Sequence, residues 1–236
     1  MKKTATTLAA LAVVCVMACP AFAANAVRIS QIYGGGGNSG ATYSNDYIEL
    51  YNNSGVSIDI SGWSLQYGSA TGTIDLGTCV NCLTVFPQGS CIGPNGYYLI
   101  QLAAGANTLL PALPVTPDLV VPQATANNLS ATSGKIALRN SNVTGPCASP
   151  VVDLVGYGTA NCQEGGGTAG GLSNSSMAVR NGSPPGAQDT DNNNLDFTVV
   201  ASAVPHNSHT PGLPPPDCNP VPAKNMTWGS AKAIYR

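Results

Sequence analysis

Apolar and polar positions alternate with period two between Asp46 and Tyr67. Ile48 and Leu50 alternate with Tyr47, Glu49 and Tyr51; Val56, Ile58 and Ile60 with Ser57, Asp59 and Ser61; Trp63, Leu65 and Tyr67 with Ser64 and Gln66. Such spacing puts one face of each segment in a core and the other against water, predicting three short half-buried strands in 22 residues. Polar turns at Asn52-Asn53-Ser54-Gly55 and Ser61-Gly62 separate them. Strands so closely spaced predict an antiparallel all-β sandwich.

The same reading extends along the chain. Residues 27–33 predict the first strand and 34–40 a flexible glycine loop. Residues 69–95 form a cysteine-tied excursion, and 97–102 a strongly apolar strand. The proline-punctuated crossing over 110–122 excludes helix and central strand, because proline fixes φ and lacks a donor. Further strands are predicted over 135–139 and 151–157, and a last pair over 177–180 and 197–200. No segment beyond the leader shows helical periodicity. The sandwich is expected over residues 27–204, an extended proline-rich linker over 205–223 and a basic, aromatic tail over 224–236.

Lys2 and Lys3 precede an apolar stretch over 8–18, followed by Pro20 and Ala21-Phe22-Ala23. This predicts a secretory signal peptide over residues 1–23, with cleavage after Ala23 or, alternatively, Ala26. A lipoprotein site, Val16-Met17-Ala18-Cys19, would instead acylate Cys19; Met and Val suit its small-residue part poorly, and Pro20 follows directly. No other run reaches the ~18 apolar residues of a spanning helix. The expectation is a protein that is secreted, periplasmic or held at the cell surface without a transmembrane segment.

Beyond that leader, seven basic residues face eleven acidic ones, and charged residues make up only 8% of the chain. Nucleic acid is disfavoured as a partner, because phosphate binding relies on clustered Lys and Arg, and Arg28, Lys135, Arg139 and Arg180 are scattered.

Six cysteines follow the leader, an even number that predicts disulfides in an exported chain. Cys147 and Cys162 flank an apolar strand, and bridging them closes a loop of 16 residues, worth about 3 kcal/mol on the chain-entropy model. Among the other four, the preferred pairing joins Cys91 to one of Cys79 and Cys82, and Cys218 to the other. A redox Cys-x-x-Cys and a three-cysteine zinc site are the alternatives. The first lacks its βαβ context, and zinc thiolates compete poorly with oxidation outside the cell.

Candidate chemistry is sparse. Trp63 and Tyr67 are expected to fill the space between the sheets. Glu49 is expected as a solvated or cross-strand-paired carboxylate, and Arg180 as a partner of Asp189 or Asp191. Asp189, Asp191 and Asn193 alternate so as to offer oxygens to one calcium ion, yet the loop lacks the glycine and distal glutamate of an EF-hand, and Asp and Asn also favour plain turns. His206 and His209 lie between Pro205 and Pro211, so neither is expected on the folded body. Without such a histidine a serine triad has no general base. Gly34-Gly35-Gly36-Gly37 lacks the following Gly-Lys-Ser/Thr of a phosphate loop. No enzyme activity and no cofactor are expected. The tail around Trp228 and Ile234 either docks on its own domain or is displayed as a sorting or attachment signal.

Val27-Arg28-Ile29-Ser30-Gln31-Ile32-Tyr33, Asp46-Tyr47-Ile48-Glu49-Leu50-Tyr51-Asn52 and Ile58-Asp59-Ile60-Ser61-Gly62-Trp63-Ser64-Leu65-Gln66-Tyr67 resemble segments of the bacterial lamin tail domain. So do Gly96-Tyr97-Tyr98-Leu99-Ile100-Gln101, Val151-Val152-Asp153-Leu154-Val155-Gly156-Tyr157-Gly158 and Asp189-Thr190-Asp191-Asn192-Asn193-Asn194-Leu195-Asp196-Phe197. The resemblance covers roughly residues 27–210. It implies an immunoglobulin-like sandwich of a kind exported by bacteria, often joined to nuclease or phosphatase domains, and used in attachment or interaction. It carries no catalytic residues. The expected function is a non-catalytic attachment or envelope-structural module meeting a cell-surface or extracellular protein or glycan; the alternative is an accessory subunit of a secreted nuclease or phosphatase system.

Overall fold

The computed structural model describes residues 26–107, 109–147 and 149–218; the predicted leader and the tail over 224–236 lie outside the described residues. In chain order the elements are β1 (Val27–Tyr33), β2 (Asn45–Asn52), β3 (Ile58–Asp59), β4 (Ser64–Ser69), β5 (Leu83–Val85), β6 (Cys91–Ile92) and β7 (Tyr97–Ala104). They continue with β8 (Leu119–Val120), β9 (Gly134–Arg139), β10 (Asp153–Tyr157), β11 (Met177–Arg180), the single-turn helix α1 (Asn193–Asp196) and β12 (Phe197–Val200). One sheet has the order β12-β11-β1-β2-β7-β8, a second β10-β9-β4-β5, and β3 pairs β6 in a small third. Every pairing is antiparallel except β7 with the short edge strand β8. This is the all-β sandwich that the alternation predicts, with the immunoglobulin-like form that the resemblance implies.

Ile48 and Leu50 of β2 and Ile100 and Leu102 of β7 share one core with Leu65 and Tyr67 of β4, Ile136 and Leu138 of β9 and Val155 of β10. Strand β1 contributes both Ile29 and Ile32, three positions apart. The β1–β2 register shifts between Ile29 and Gln31, and the extra residue inverts the side-chain alternation. Tyr67 sits inside this core; Trp63 packs half-buried against it.

The outer face of the large sheet is covered, so β1 and β2 are buried on both faces rather than half-buried. Tyr33, Tyr43, Tyr47, Leu99, Leu113 and Met177 form a second apolar cluster there. Two returning segments cover it. Ser44 N–H donates to Pro111 carbonyl and Tyr43 hydroxyl to Ala203 carbonyl. The segment expected to run free as a linker is bound to the body as far as Cys218: Ser208 donates to Asp118, and Asp217 N–H to Ser57. Its prolines exclude it from a strand, but hydrogen bonds from its non-proline residues hold it in place.

The glycine loop also departs from expectation, since Gly34 to Gly37 are buried. A Cβ at Gly36 would meet the Asn45 carbonyl carbon at 2.1 Å, and Gly37 adopts φ +66°. Glycine serves close backbone approach here, not flexibility. Cys147 is bridged to Cys162, Cys91 to Cys218 and Cys79 to Cys82. The last two replace the preferred cross-pairing. Asn81, at φ 56°, turns the chain so that the Cα atoms of Cys79 and Cys82 lie 5.2 Å apart, within bridging range. All six cysteines beyond the leader are therefore oxidised, leaving no thiolate among them for zinc.

Candidate functional site

Charged and polar side chains gather in two buried clusters on the large sheet. The first is built around Glu49 of β2, which lies two positions from both Tyr47 and Tyr51 along the strand and is completely buried. Its Oε1 accepts from Ser30 Oγ at 2.5 Å, and its Oε2 accepts from His206 N–H and, at 3.2 Å, from His206 Nδ1. The imidazole stacks on Tyr97 with ring centroids 4.4 Å apart. The hydrogen bond to Glu49 holds the imidazole above its ordinary pKa, outweighing burial. Glu49 is thus not solvated, and a histidine does lie on the folded body. The order of the groups decides their chemistry. Here the carboxylate stands between hydroxyl and imidazole, whereas nucleophile activation needs the imidazole in the middle. Ser30 is moreover fully buried.

The second cluster is built around Arg180 of β11, also fully buried. Its Nη2 donates to both oxygens of Asp153 at 2.7 and 2.8 Å, and its Nε to Ile29 carbonyl at 2.7 Å. Nη1 lies 3.3 Å from Asp189 and 3.6 Å from Asp196, and the guanidinium covers the Phe197 ring at 4.6 Å. Burial pulls its pKa down, but the charges of Asp153 and Asp189 overcome that and leave it raised. Arg28 lies 3.7 Å from the other oxygen of Asp189.

Of the calcium candidates Asp189, Asp191 and Asn193, the two aspartates come together, while the Asn193 Oδ1 is already occupied by backbone N–H groups. Asn193 is buried at the start of α1, its Oδ1 accepting from Gly156 and Glu164 N–H and its Nδ2 donating to Leu154 carbonyl. Glu164 stands nearer: oxygens of Glu164, Asp189 and Asp191 lie within 4.8 Å of one another. Burial and then the charge of Asp153 push Glu164 up to about 8. Burial also raises Asp189, against the pull of Arg180. Asp196 organises the loop internally, accepting from Thr190 N–H and Oγ1 and from Asn192 N–H.

Sequence reasoning missed Ser30, Asp153, Glu164 and the place of His206. A signal existed for Asp153, a lone charge in the apolar run Val151-Val152-Asp153-Leu154-Val155, since a buried carboxylate demands a partner. Glu49 between two tyrosines carried a similar hint. A further carboxyl, Asp46, accepts from Gly36 and Leu129 N–H, and burial raises it to about 7 despite those bonds.

Two sheets packed over one core, with disulfide-tied loops, define an immunoglobulin-like β-sandwich. The family model of the lamin tail domain matches residues 20–159, and the chain belongs to that family. Lamin tail domains are generally interaction modules and are not a known enzyme family. Among solved structures the chain is similar to a DUF4876 family protein from Bacteroides thetaiotaomicron, at 16% identity, over 83% of this chain and 75% of that one, with a TM-score of 0.49. No curated protein matches the chain. No helix among the described residues is long and apolar enough to cross a membrane.

Proposed function

We propose that the protein is an exported, non-catalytic attachment module that binds a cell-surface or extracellular protein or glycan. The observation that carries this reading is the buried Ser30–Glu49 pair capped by the half-buried His206. Its catalytic residue types serve to pin the returning chain, in an order that activates no nucleophile. Export is supported by three disulfides, which persist in oxidising compartments.

The described body is unsuited to nucleic acid. Arg28, Lys135, Arg139 and Arg180 are all buried, so the described body offers phosphate no basic patch.

The test is a pull-down of the mature protein against surface fractions of its own source, run beside phosphoester and glycoside turnover assays. Saturable retention without turnover is expected. Turnover that disappears in a folded Glu49→Gln variant would overturn the reading, and stoichiometric co-purification with a hydrolase would replace it by the accessory-subunit role.

A further inference from the structure

The two sheets end in short edge strands, β5 and β8, that face each other across an open side of the sandwich. Between them runs an apolar groove of about 250 Å³, walled by Leu83, Val85 and Pro87 on one side and Leu119, Val121 and Pro122 on the other. Val85 and Val120, at this edge, are 41% and 55% exposed. The same two chain segments continue through Gln88 and Asp118 into a larger cavity of about 660 Å³, lined also by Asp59, Tyr98 and Cys218. Groove and cavity therefore form one track, acidic at one end and apolar at the other.

Cys218 fixes where the next residues begin. Its bridge to Cys91 holds it in the wall of the acidic cavity. The eighteen residues that follow carry Lys224, Lys232 and Arg236 and no acidic side chain. The body has the opposite character: its four basic residues are buried, while Asp59, Asp75, Asp191 and Asp217 are exposed. Reach is sufficient. Trp228 stands ten residues beyond Cys218, a span of up to about 35 Å, whereas the five positions from Gln88 back to Leu83 cover roughly 17 Å of strand. Edge strands present unpaired backbone groups that an extended segment can complete. Pro220 and Pro222 lack the donor for such pairing, so it begins after Pro222.

We propose that residues 219–236 dock on their own domain along this track, with Lys224 over the acidic cavity and Trp228 in the apolar groove between β5 and β8. The occupant is this chain's own tail, because the covalent tether, the charge complement and the reach all come from it.

The test uses the full mature chain. Trp63→Phe leaves Trp228 as the sole indole of a protein that has two tryptophans. Expected are blue-shifted emission, acrylamide quenching several-fold weaker than for free tryptophan amide, and no dependence on protein concentration. Adding Val85→Asp, at an exposed position, should restore quenching. In the unsubstituted chain, trypsin should cleave after Lys224 and Lys232 several-fold faster at molar salt than at low salt. Quenching equal to that of the free amide, or salt-independent cleavage, would overturn the proposal. So would protection that appears only with concentration and a dimer mass, which assigns the groove to a second copy. Protection seen only on vesicles of anionic phospholipid would likewise overturn it.

Discussion

Replacing Arg180 by methionine removes the guanidinium that faces Asp153, Asp189 and Asp196 while keeping most of the apolar stem. Arg180 and Asp153 are both buried and joined by two bonds of 2.7 and 2.8 Å. Stranding one partner of such a pair costs about 3–5 kcal/mol, because a buried carboxylate keeps its desolvation penalty and loses its counter-charge. For a domain of this size, that corresponds to a fall in Tm of roughly 6–20 °C. Urea unfolding with the disulfides intact should show a lower midpoint at unchanged slope. Adding Asp153→Asn neutralises the stranded charge and should recover part of the loss, giving a clear coupling energy in the double-mutant cycle. A loss below about 1 kcal/mol for Arg180→Met, or strict additivity of the two changes, would refute the reasoning.

The pH dependence has a definite sign. Asp46 and Glu164 are raised by burial, to about 7 and about 8, so the folded state holds their protons more tightly than the unfolded chain does. His206 is raised by Glu49, so its contribution is present below the ordinary histidine value and lost as pH rises through the raised one. All three make Tm fall between pH 5 and 9 in metal-free buffer; a flat or rising Tm contradicts this. Glu49→Gln weakens the acceptor of Ser30 and His206 and should cost about 1–3 kcal/mol, with faster amide exchange confined first to residues 201–210; unchanged exchange there would contradict the pinning role. Cys147→Ala with Cys162→Ala should cost about 3 kcal/mol in urea titration, and a change under 1 kcal/mol would argue against it. Calcium must compete with Arg180 and Arg28 for Asp189, so calorimetry should show no heat below millimolar calcium; micromolar binding abolished by Asp191→Asn would prove the cluster a metal site.

The strands were legible wherever burial is a local matter. Met177–Arg180 and Phe197–Val200 pair as their apolar runs suggest, and the 48/50 and 65/67 alternations point into the core. What depends on distant partners was not legible. Glu49 looks solvent-facing until a segment 157 positions away lies over it. That segment reads as a linker because prolines mark it as irregular, and irregular chain can still be firmly bonded. Asn193 has a calcium ligand's spacing, but its amide is taken up by bonds with Gly156, Leu154 and Glu164, partners that its position in sequence does not announce. The β1 bulge hides the inward role of Ile32 for the same kind of reason, since a single extra residue reverses a period-two pattern.

The bridge between Cys91 and Cys218 spans 127 positions. A pull transmitted through residues beyond 218 passes across that bond directly into β6 and bypasses β7 to β12. At about 3.5 Å per residue, roughly 440 Å of contour length is withheld from stretching. Under load the chain beyond β6 lengthens little until those sulfurs are reduced, so its extensibility is set by redox state rather than by the strength of the sheets.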